Sequence, residues 1–275
     1  MSKLYNSYSA NKAIRYAKRT SDSDAVSSRK LAGGSRITRS GDDAAGLSIS
    51  TKLKSTIKSN QMAARNTNDA FSILQVMEGT INEMGNMVTR IRELAMRSAS
   101  DTISDIEREI TQGEVTHILQ EINRMSQGSE YLDHKLLKGD RKRLDIQVGR
   151  SNNEKNRITL DLKDFAQSPL ALGIADIKVD SKHRARTSLI KIDYAVGVLA
   201  ESRSKLGATS KRLESTLNNL NISVENSESA KSRITDTDYA QETANKARNS
   251  ILAHGQATAI HQTQNSGRRY LRLLE

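Results

Sequence analysis

The sequence predicts a mainly α-helical protein made of long antiparallel coiled-coil-like rods, and three observations support that prediction. Aromatic residues are 3% of the 275 residues and hydrophobic residues 36%, which is too little large apolar side chain for one thick globular core. The single proline, Pro169, leaves almost the whole chain able to continue as helix. Two long tracts repeat their apolar residues with a period of about 3.5, which is typical of coiled coils.

The first tract predicts a long helix that ends near residue 95. Its seam positions alternate four- and three-residue steps, except that the step from Leu74 to Met77 is three residues where the alternation would give four. The seam positions are Leu53, Ile57, Asn60, Ala64, Thr67, Phe71, Leu74, Met77, Ile81, Met84, Val88, Ile91 and Ala95. Because an α-helix rises about 1.5 Å per residue, a helix of this length is a rod whose seam needs a partner helix to cover it.

A shorter helix is predicted next, over roughly residues 102–128, with Ser100 or Asp101 as its cap. A five-residue step in the apolar pattern and Gly113 weaken its middle. We expect its apolar face to consist of Ile103, Ile106, Ile110, Val115, Ile118, Ile122 and Met125.

The middle of the chain changes to the two-residue alternation of a β-hairpin. Apolar and polar residues alternate over residues 144–148 and again over 158–162, and the residues between these segments are rich in turn formers. Pro169 and Gly173 close this non-helical segment near residue 180.

The second coiled-coil tract predicts another long helix over residues 189–224. Nine of its eleven seam positions are apolar, and Arg203 and Ser210 are the polar ones. We expect this late helix to pair antiparallel with the early one, which would bring both termini together and place the small β-hairpin region at the distal tip.

Residues 1–40 and 240–275 are predicted to be terminal helical arms that pair with each other. Neither arm has a good apolar stripe, so we expect them to become ordered on pairing or assembly. The rest divides into a helical rod domain, residues 41–130 and 185–239, and a small β-hairpin region, residues 131–184. No large outer domain is expected.

The net charge of +11 is unevenly distributed along the chain. Residues 1–40 carry a net +7, residues 101–130 a net −5 and residues 181–220 a net +5. A basic arm can indicate binding to nucleic acid. The acidic segment and the scarcity of aromatic residues in the arms argue against that function, so a nucleic-acid-binding coiled coil is the less favoured alternative.

The sequence also excludes several kinds of site. It has no cysteine, which removes disulfides, cysteine zinc sites and thiol catalysis. It has no run of about 18 apolar residues, so we expect no membrane span. The five histidines are scattered and there is no phosphate-binding loop, so we expect no enzyme activity, cofactor or metal. The first 16 residues lack the apolar segment of a secretory signal, so we expect no cleaved signal peptide.

Ten short blocks with a distinctive composition are distributed along the sequence. In the N-terminal half they are RKLAGGSRI (29–37), GDDAAGL (41–47), ARNTND (64–69) and RIRELA (90–95), followed by LDIQVG (144–149). In the C-terminal half they are LGA (206–208), RLE (212–214), NNL (218–220), EN (225–226) and SRITDTDYA (232–240).

In their order and spacing these blocks resemble bacterial flagellin. The resemblance implies a structural subunit that is exported unfolded by the flagellar type III route and polymerises into an extracellular filament for motility. In that family the terminal arms form an inner coiled-coil layer around a channel, and the rods form the next layer. The implied partners are further copies of the chain, the export apparatus, a flagellin chaperone on the C-terminal arm, the filament cap and hook-associated proteins. A hook–filament junction protein, whose ends are similar, is the alternative within this class.

The resemblance also indicates a candidate surface made of Arg90, Arg92, Glu93, Leu94 and Glu114. These residues match a family surface that an animal innate receptor recognises. Contact between subunits is the other role expected for them.

The terminal arms depart from the family pattern because they carry more charge. We expect Arg15, Lys18 and Arg19 to face the channel or to pair with acidic residues of neighbouring chains, namely Asp22, Asp24 and Glu242. The last residues keep the paired leucines of the family, and the expected terminal assembly residues are Leu271, Leu273 and Leu274.

Overall fold

The structure is a computed structural model that describes residues 2–139 and 143–272. Over these residues it contains five α-helices and four short strands. The helices are α1 (Ser2–Gly33), α2 (Ala44–Ser98), α3 (Asp105–Gly128), α4 (Lys182–Thr235) and α5 (Tyr239–Arg272). The strands are β1 (Glu130–Tyr131), β2 (His134–Lys135), β3 (Leu144–Gln147) and β4 (Arg157–Leu160), with short 3-10 helices at Glu154–Asn156 and Leu162–Phe165. The predicted mainly α fold class is confirmed.

The chain forms two compact units. The first, which we call the arm unit, consists of Met1–Ser55 and Asn226–Glu275. The second, which we call the rod unit, is Thr56–Glu225. Both α2 and α4 contribute residues to each unit.

The hydrophobic core of the rod unit runs along α2, α3 and α4. On α2, the fully buried side chains follow the predicted seam from Met77 to Ala95. Nearer the start of the seam, the predicted Ala64 and Phe71 are half-buried while their neighbours Ala63 and Ala70 are buried. The α3 and α4 side chains in this core include Val115, Ile122, Ile192, Leu199, Leu206 and Leu213.

The N-terminus of α3 differs from the prediction in both its cap and its buried face. The cap is Ser104, whose hydroxyl accepts from the Glu107 amide (3.4 Å) while the Glu107 carboxylate accepts from the Ser104 amide (2.8 Å). This reciprocal capping box starts the helix at Asp105. Ile106 and Ile110 were expected in the core, but both are exposed.

The buried face of α3 is instead formed by Arg108, Thr111 and Val115, with Ile122 further along. Arg108 fits this face because its guanidinium donates to the carbonyls of Ser98 (3.0 Å) and Ser100 (2.8 Å) where α2 ends. A buried arginine whose donors are satisfied by backbone acceptors therefore takes the place that the sequence pattern assigned to isoleucine.

The predicted β-hairpin is confirmed as the antiparallel pair β3–β4. Its register sets Leu144 opposite Leu160 and Ile146 opposite Ile158. The side chains of Ile146, Ile158 and Leu160 are buried against the rod unit.

The hairpin lies along the side of the rod unit, and the expected position at the distal tip is corrected. The Asn66 side chain on α2 donates to the Gln147 carbonyl at 3.0 Å, which places β3 beside the early part of the rod. The end of α2 and the start of α4 lie together at the other end of the rod unit, where the Lys182 ammonium donates to the Asp101 carboxylate at 2.7 Å. The reason is that α3 turns back along α2 before the strands begin.

In the arm unit, α1 and α5 pack against each other as an antiparallel pair. Near one end of the pair, the Tyr239 hydroxyl donates to the Leu31 carbonyl (3.3 Å). Further along, the Gln256 side chain donates to the Thr20 hydroxyl (2.9 Å). The predicted pairing of the terminal arms is confirmed.

Candidate functional site

The RIRELA block lies on α2, and its two arginines reach different neighbours. Residues two positions apart on an α-helix point about 200° apart. Arg90 therefore reaches towards α3 and Arg92 towards α4, while Ile91 between them is fully buried. The block thus joins three helices on the outside of the rod unit.

Arg90 links the α2 and α3 members of the predicted surface. Its Nε and Nη2 donate to Oε1 of Glu114 at 3.0 and 2.9 Å, and its Nη1 donates to Oε2 of Glu93 at 3.1 Å. The pKa of Arg90 is raised, most strongly by its hydrogen bond with Glu114 and next by its hydrogen bond with Glu93. All three side chains are about half exposed, so these pairs contribute little to the free energy of folding.

Arg92 forms an ion pair that the sequence did not suggest. Its Nε donates to Oδ1 of Asp193 on α4 at 2.8 Å. The two residues are about a hundred positions apart in the sequence, and the sole local signal was that Asp193 follows the seam residue Ile192.

Leu94 does not belong to the exposed surface. Its side chain is 4% exposed and lies in the rod core with Ile91 and Ala95. The physical reason is that residues 91, 94 and 95 share one helix face, which α3 and α4 cover. The exposed candidate surface therefore consists of Arg90, Arg92, Glu93 and Glu114.

The GDDAAGL block builds the start of α2. Asp43 Oδ1 accepts from the Gly46 amide at 2.8 Å, which is the hydrogen bond of an N-cap residue. Asp42 Oδ2 accepts from the Thr38 hydroxyl (2.8 Å), the Thr38 amide (2.9 Å) and the Arg39 amide (2.9 Å), and these bonds lower its pKa. A Cβ at position 46 would lie 2.3 Å from the Asp43 carboxylate, so a larger residue there would displace the capping side chain.

The SRITDTDYA block meets the first signature block within the arm unit. Ser35 and Asp236 form an isolated antiparallel bridge, flanked by the Arg36 amide donating to the Thr235 carbonyl (2.7 Å) and the Thr237 amide donating to the Gly34 carbonyl (3.0 Å). Two blocks about 200 residues apart in the sequence therefore form one junction.

Asp236 and Asp238 have distinct roles at this junction. The Asp236 carboxylate accepts hydrogen bonds from the side chains of Ser232 and Thr235. These bonds lower the pKa of Asp236, and the bond from Ser232 has the larger effect. Asp238 Oδ1 accepts from the amides of Ala240 (2.9 Å) and Gln241 (3.1 Å), and so caps the start of α5.

The charged arm residues Arg15, Lys18 and Arg19 are exposed on α1. None of the three forms an ion pair with a described side chain. Of their expected partners, Asp22 is exposed, while Asp24 and Glu242 are half-buried. Of the terminal leucines, Leu271 lies in α5 with its side chain not described, and Leu273 and Leu274 lie outside the described residues.

The described residues also lack two other kinds of feature, a metal site and a membrane-spanning helix. No group of three or more histidine, aspartate and glutamate side chains among them could hold a metal ion. No helix in that part of the chain is both long and apolar enough to cross a membrane.

Comparison with known protein families identifies both halves of the chain. Residues 5–142 match the bacterial flagellin N-terminal helical region, and residues 189–274 match the bacterial flagellin C-terminal helical region. Flagellin of Halalkalibacterium halodurans is 34% identical over 245 residues, covering 89% of each chain. Flagellin of Bacillus subtilis is 30% identical, covering 95% of this chain and 97% of its own length.

Solved structures with the same fold include a flagellin and a hook-associated protein. A Bacillus cereus flagellin aligns with a TM-score of 0.51 at 22% identity, covering 57% of this chain and 88% of that one. A putative flagellar hook-associated protein from Vibrio parahaemolyticus aligns with a TM-score of 0.57 at 12% identity, covering 71% of this chain and all of that one. Both identities are low, so these alignments show the fold alone.

The sequence matches decide between the predicted functions. They cover both terminal regions of a flagellin in order, and they favour neither the hook–filament junction protein nor the nucleic-acid-binding coiled coil. The chain belongs to the bacterial flagellin family and is a structural subunit of the flagellar filament.

Proposed function

We propose that this flagellin is exported unfolded through the flagellar type III route and polymerises outside the cell with α1 and α5 as the inner layer of the filament. The observation that carries this proposal is the burial in the arm unit. Burial is described for the side chains of residues 8, 11–55, 226–263 and 265 of this unit, and no hydrophobic side chain among them is buried; the buried ones are those of Thr20, Ser27 and Ser50.

An arm unit of this kind lacks the usual source of helix stability. Helices in proteins are stabilised mainly by burying an apolar face, at roughly 25 cal/mol per Å² of apolar surface. Several large apolar side chains of α1 and α5 stay exposed, namely Tyr8, Ile14, Tyr16, Ile251 and Leu252, while Val26, Leu31 and Ile260 are half-buried. Neighbouring copies of the chain can supply the missing cover, which supports a role for the arms in assembly.

Hydrogen exchange on monomers and filaments tests this proposal. In the monomer we expect backbone amides of α1 and α5 to exchange rapidly, while those of α2 from Met77 to Ala95 stay protected. In the filament we expect α1 and α5 to become protected, with the α2 segment unchanged as the internal control. Strong protection of α1 and α5 in the monomer, or none in the filament, would show that the arms are not ordered by assembly.

The charged arm suggests that assembly depends on salt. The arm unit contains eighteen lysine and arginine residues and nine acidic residues, so copies brought together through this unit repel each other. We therefore propose that Arg15, Lys18 and Arg19 face the channel, since the acids are too few to pair with every cation. Replacing all three with glutamine should lower the salt concentration needed for polymerisation, because screening by salt becomes less necessary.

The matched control removes three exposed charges from the rod unit instead, at Lys58, Arg65 and Lys155. Light scattering across a salt series compares both variants with the unchanged chain. Weaker polymerisation of the arm variant at every salt concentration would instead support pairing with acidic residues of neighbouring copies. A salt profile equal to that of the rod control would contradict both roles.

The proposed export and assembly also involve a chaperone, the filament cap and hook-associated proteins. The exposed Ile251 and Leu252 on α5 favour the C-terminal arm as the place where a flagellin chaperone binds before export. The filament cap and hook-associated proteins would contact the ends of the polymer. We propose no enzyme activity for this chain, because its residues serve packing, capping and ion pairing throughout the described sites.

The exposed set of Arg90, Arg92, Glu93 and Glu114 remains the proposed subunit contact and receptor surface. The half-exposed ion pairs leave these side chains accessible on the monomer. A receptor reporter assay with monomeric protein tests the second role, and a lack of signal at every dose would exclude it.

A further inference from the structure

The first half of α3 presents an unpartnered apolar stripe. Ile106 and Ile110 are one turn apart and are 73% and 70% exposed, on the side of the helix away from the buried Arg108 and Val115. Residues 101–117 contain five acidic residues and one basic residue, and three of the acids, Asp101, Asp105 and Glu114, already form ion pairs within the chain. Glu109 is among the exposed acids of this segment.

The first half of α4 presents a second stripe of the same kind but of opposite charge. Ile190 and Tyr194, again one turn apart, are 73% and 65% exposed, opposite the buried Ser188 and Ile192. Residues 182–197 contain four basic residues and one acidic residue. Asp193 is paired with Arg92, Lys182 with Asp101 and Arg184 with Asp180, so Arg186 and Lys191 are the basic residues of this segment that form no ion pair with a described side chain.

The two stripes lie on different helices of the rod unit, and their high exposure means that they do not cover each other. We propose that the acidic stripe, Ile106 and Ile110 on α3, packs against the basic stripe, Ile190 and Tyr194 on α4, of the neighbouring copy in the filament. The proposal rests on the filament function of this chain and adds the contact between rod units to it.

Symmetry and size both support a second copy as the occupant. Because the two surfaces differ, the contact is head-to-tail, and repeating a head-to-tail contact that does not close gives an open helical polymer. Two large apolar side chains on each side make a patch well below the roughly 800 Å² per partner of a stable protein–protein interface. The contact is therefore weak alone, so it acts together with the arms in the filament and leaves the isolated rod unit monomeric.

Cross-linking in filaments tests the contact directly. The chain has no cysteine, so Ile110→Cys and Tyr194→Cys each introduce a unique thiol. Filaments assembled from a mixture of the two variants should give a 110–194 cross-linked peptide with a short bis-maleimide. The mismatched control pairs Ile110→Cys with Met62→Cys, an exposed position on α2, and should give none.

A polymerisation measurement provides the second test. Replacing both Ile106 and Ile110 with glutamine should raise the critical concentration for elongation about tenfold, equivalent to about 1.4 kcal/mol per subunit. The exposed Ile222→Gln is the matched control and should leave it unchanged. Circular dichroism of each monomer verifies that the fold is intact.

Charge reversal tests the complementarity of the stripes. Glu109→Lys or Lys191→Glu alone should weaken elongation, and both changes in one chain should restore it. If the unchanged chain forms no filaments, the filament function itself fails. Three results would overturn the proposed contact while the filament function stands. They are filaments that form without the 110–194 cross-link, a double glutamine variant that elongates like the unchanged chain, and a double charge reversal that does not restore elongation.

Discussion

Replacing Ile91 with alanine is expected to lower the free energy of unfolding of the monomer by about 2–5 kcal/mol. The Ile91 side chain, the second residue of the RIRELA block, is fully buried in the rod core. Removing it loses apolar burial and leaves a cavity that the surrounding helices fill incompletely. Denaturant unfolding of the monomer, followed by circular dichroism at the helix signal, measures the loss.

The matched control is Met96→Ala on the same helix. Met96 is an exposed hydrophobic residue, and we expect its replacement to change the free energy of unfolding by less than about 0.5 kcal/mol. Equal effects of the two substitutions would mean that α2 is not buried on the predicted face. Because the seam residues of α2 form much of the rod core, that result would contradict the packing of the rod unit.

Replacing Arg108 with alanine is expected to cost about 2–4 kcal/mol of stability, although the residue is charged and looks like a surface position in the sequence. Its guanidinium is buried and donates to the carbonyls of Ser98 and Ser100, and it pairs with the exposed Asp105. Carbonyls at the C-terminus of a helix need donors, and a positive charge there is also favoured by the helix dipole. Without Arg108, buried backbone acceptors at the α2–α3 turn would lose their partners.

Two comparisons separate this role from a surface ion pair. Arg108→Lys should restore part of the stability, because an ammonium lacks the planar fork that reaches both carbonyls. Arg124→Ala removes an exposed arginine paired with Glu121 on the same helix and should cost less than about 1 kcal/mol. A loss at Arg108 no larger than the loss at Arg124 would show that the two carbonyls find other donors.

Several elements could be predicted from the sequence because their signals are local. The long helices follow from the apolar period and the scarcity of proline, and the β3–β4 hairpin follows from alternation around turn residues. The cap at the start of α2 is local as well, since Asp43 accepts from the amide of Gly46 three residues further along the chain. Family membership was accessible for a different reason, since ordered blocks along the chain are a property of the sequence itself.

The candidate surface was predicted in part. Arg90, Glu93 and Glu114 were selected together, and the structure joins them by hydrogen bonds. Leu94 was placed on the same surface but is buried, because adjacent positions on one helix can face opposite environments. Asp193 was missed because a pairing between distant helices leaves no mark on a single sequence.

The sequence by itself determined which segments are helices, which residues form the hairpin and to which family the chain belongs. Apolar period, turn chemistry and motif order can all be recognised along the chain without its tertiary contacts. The tertiary structure decided which face of each helix is covered. Ile106 and Ile110 have the composition of core residues, yet α2 and α4 cover the opposite side of α3, where Arg108 satisfies the carbonyls that end α2. Which side chains are buried depends on the neighbours that the fold brings to a helix, and periodicity within one segment carries no information about those neighbours.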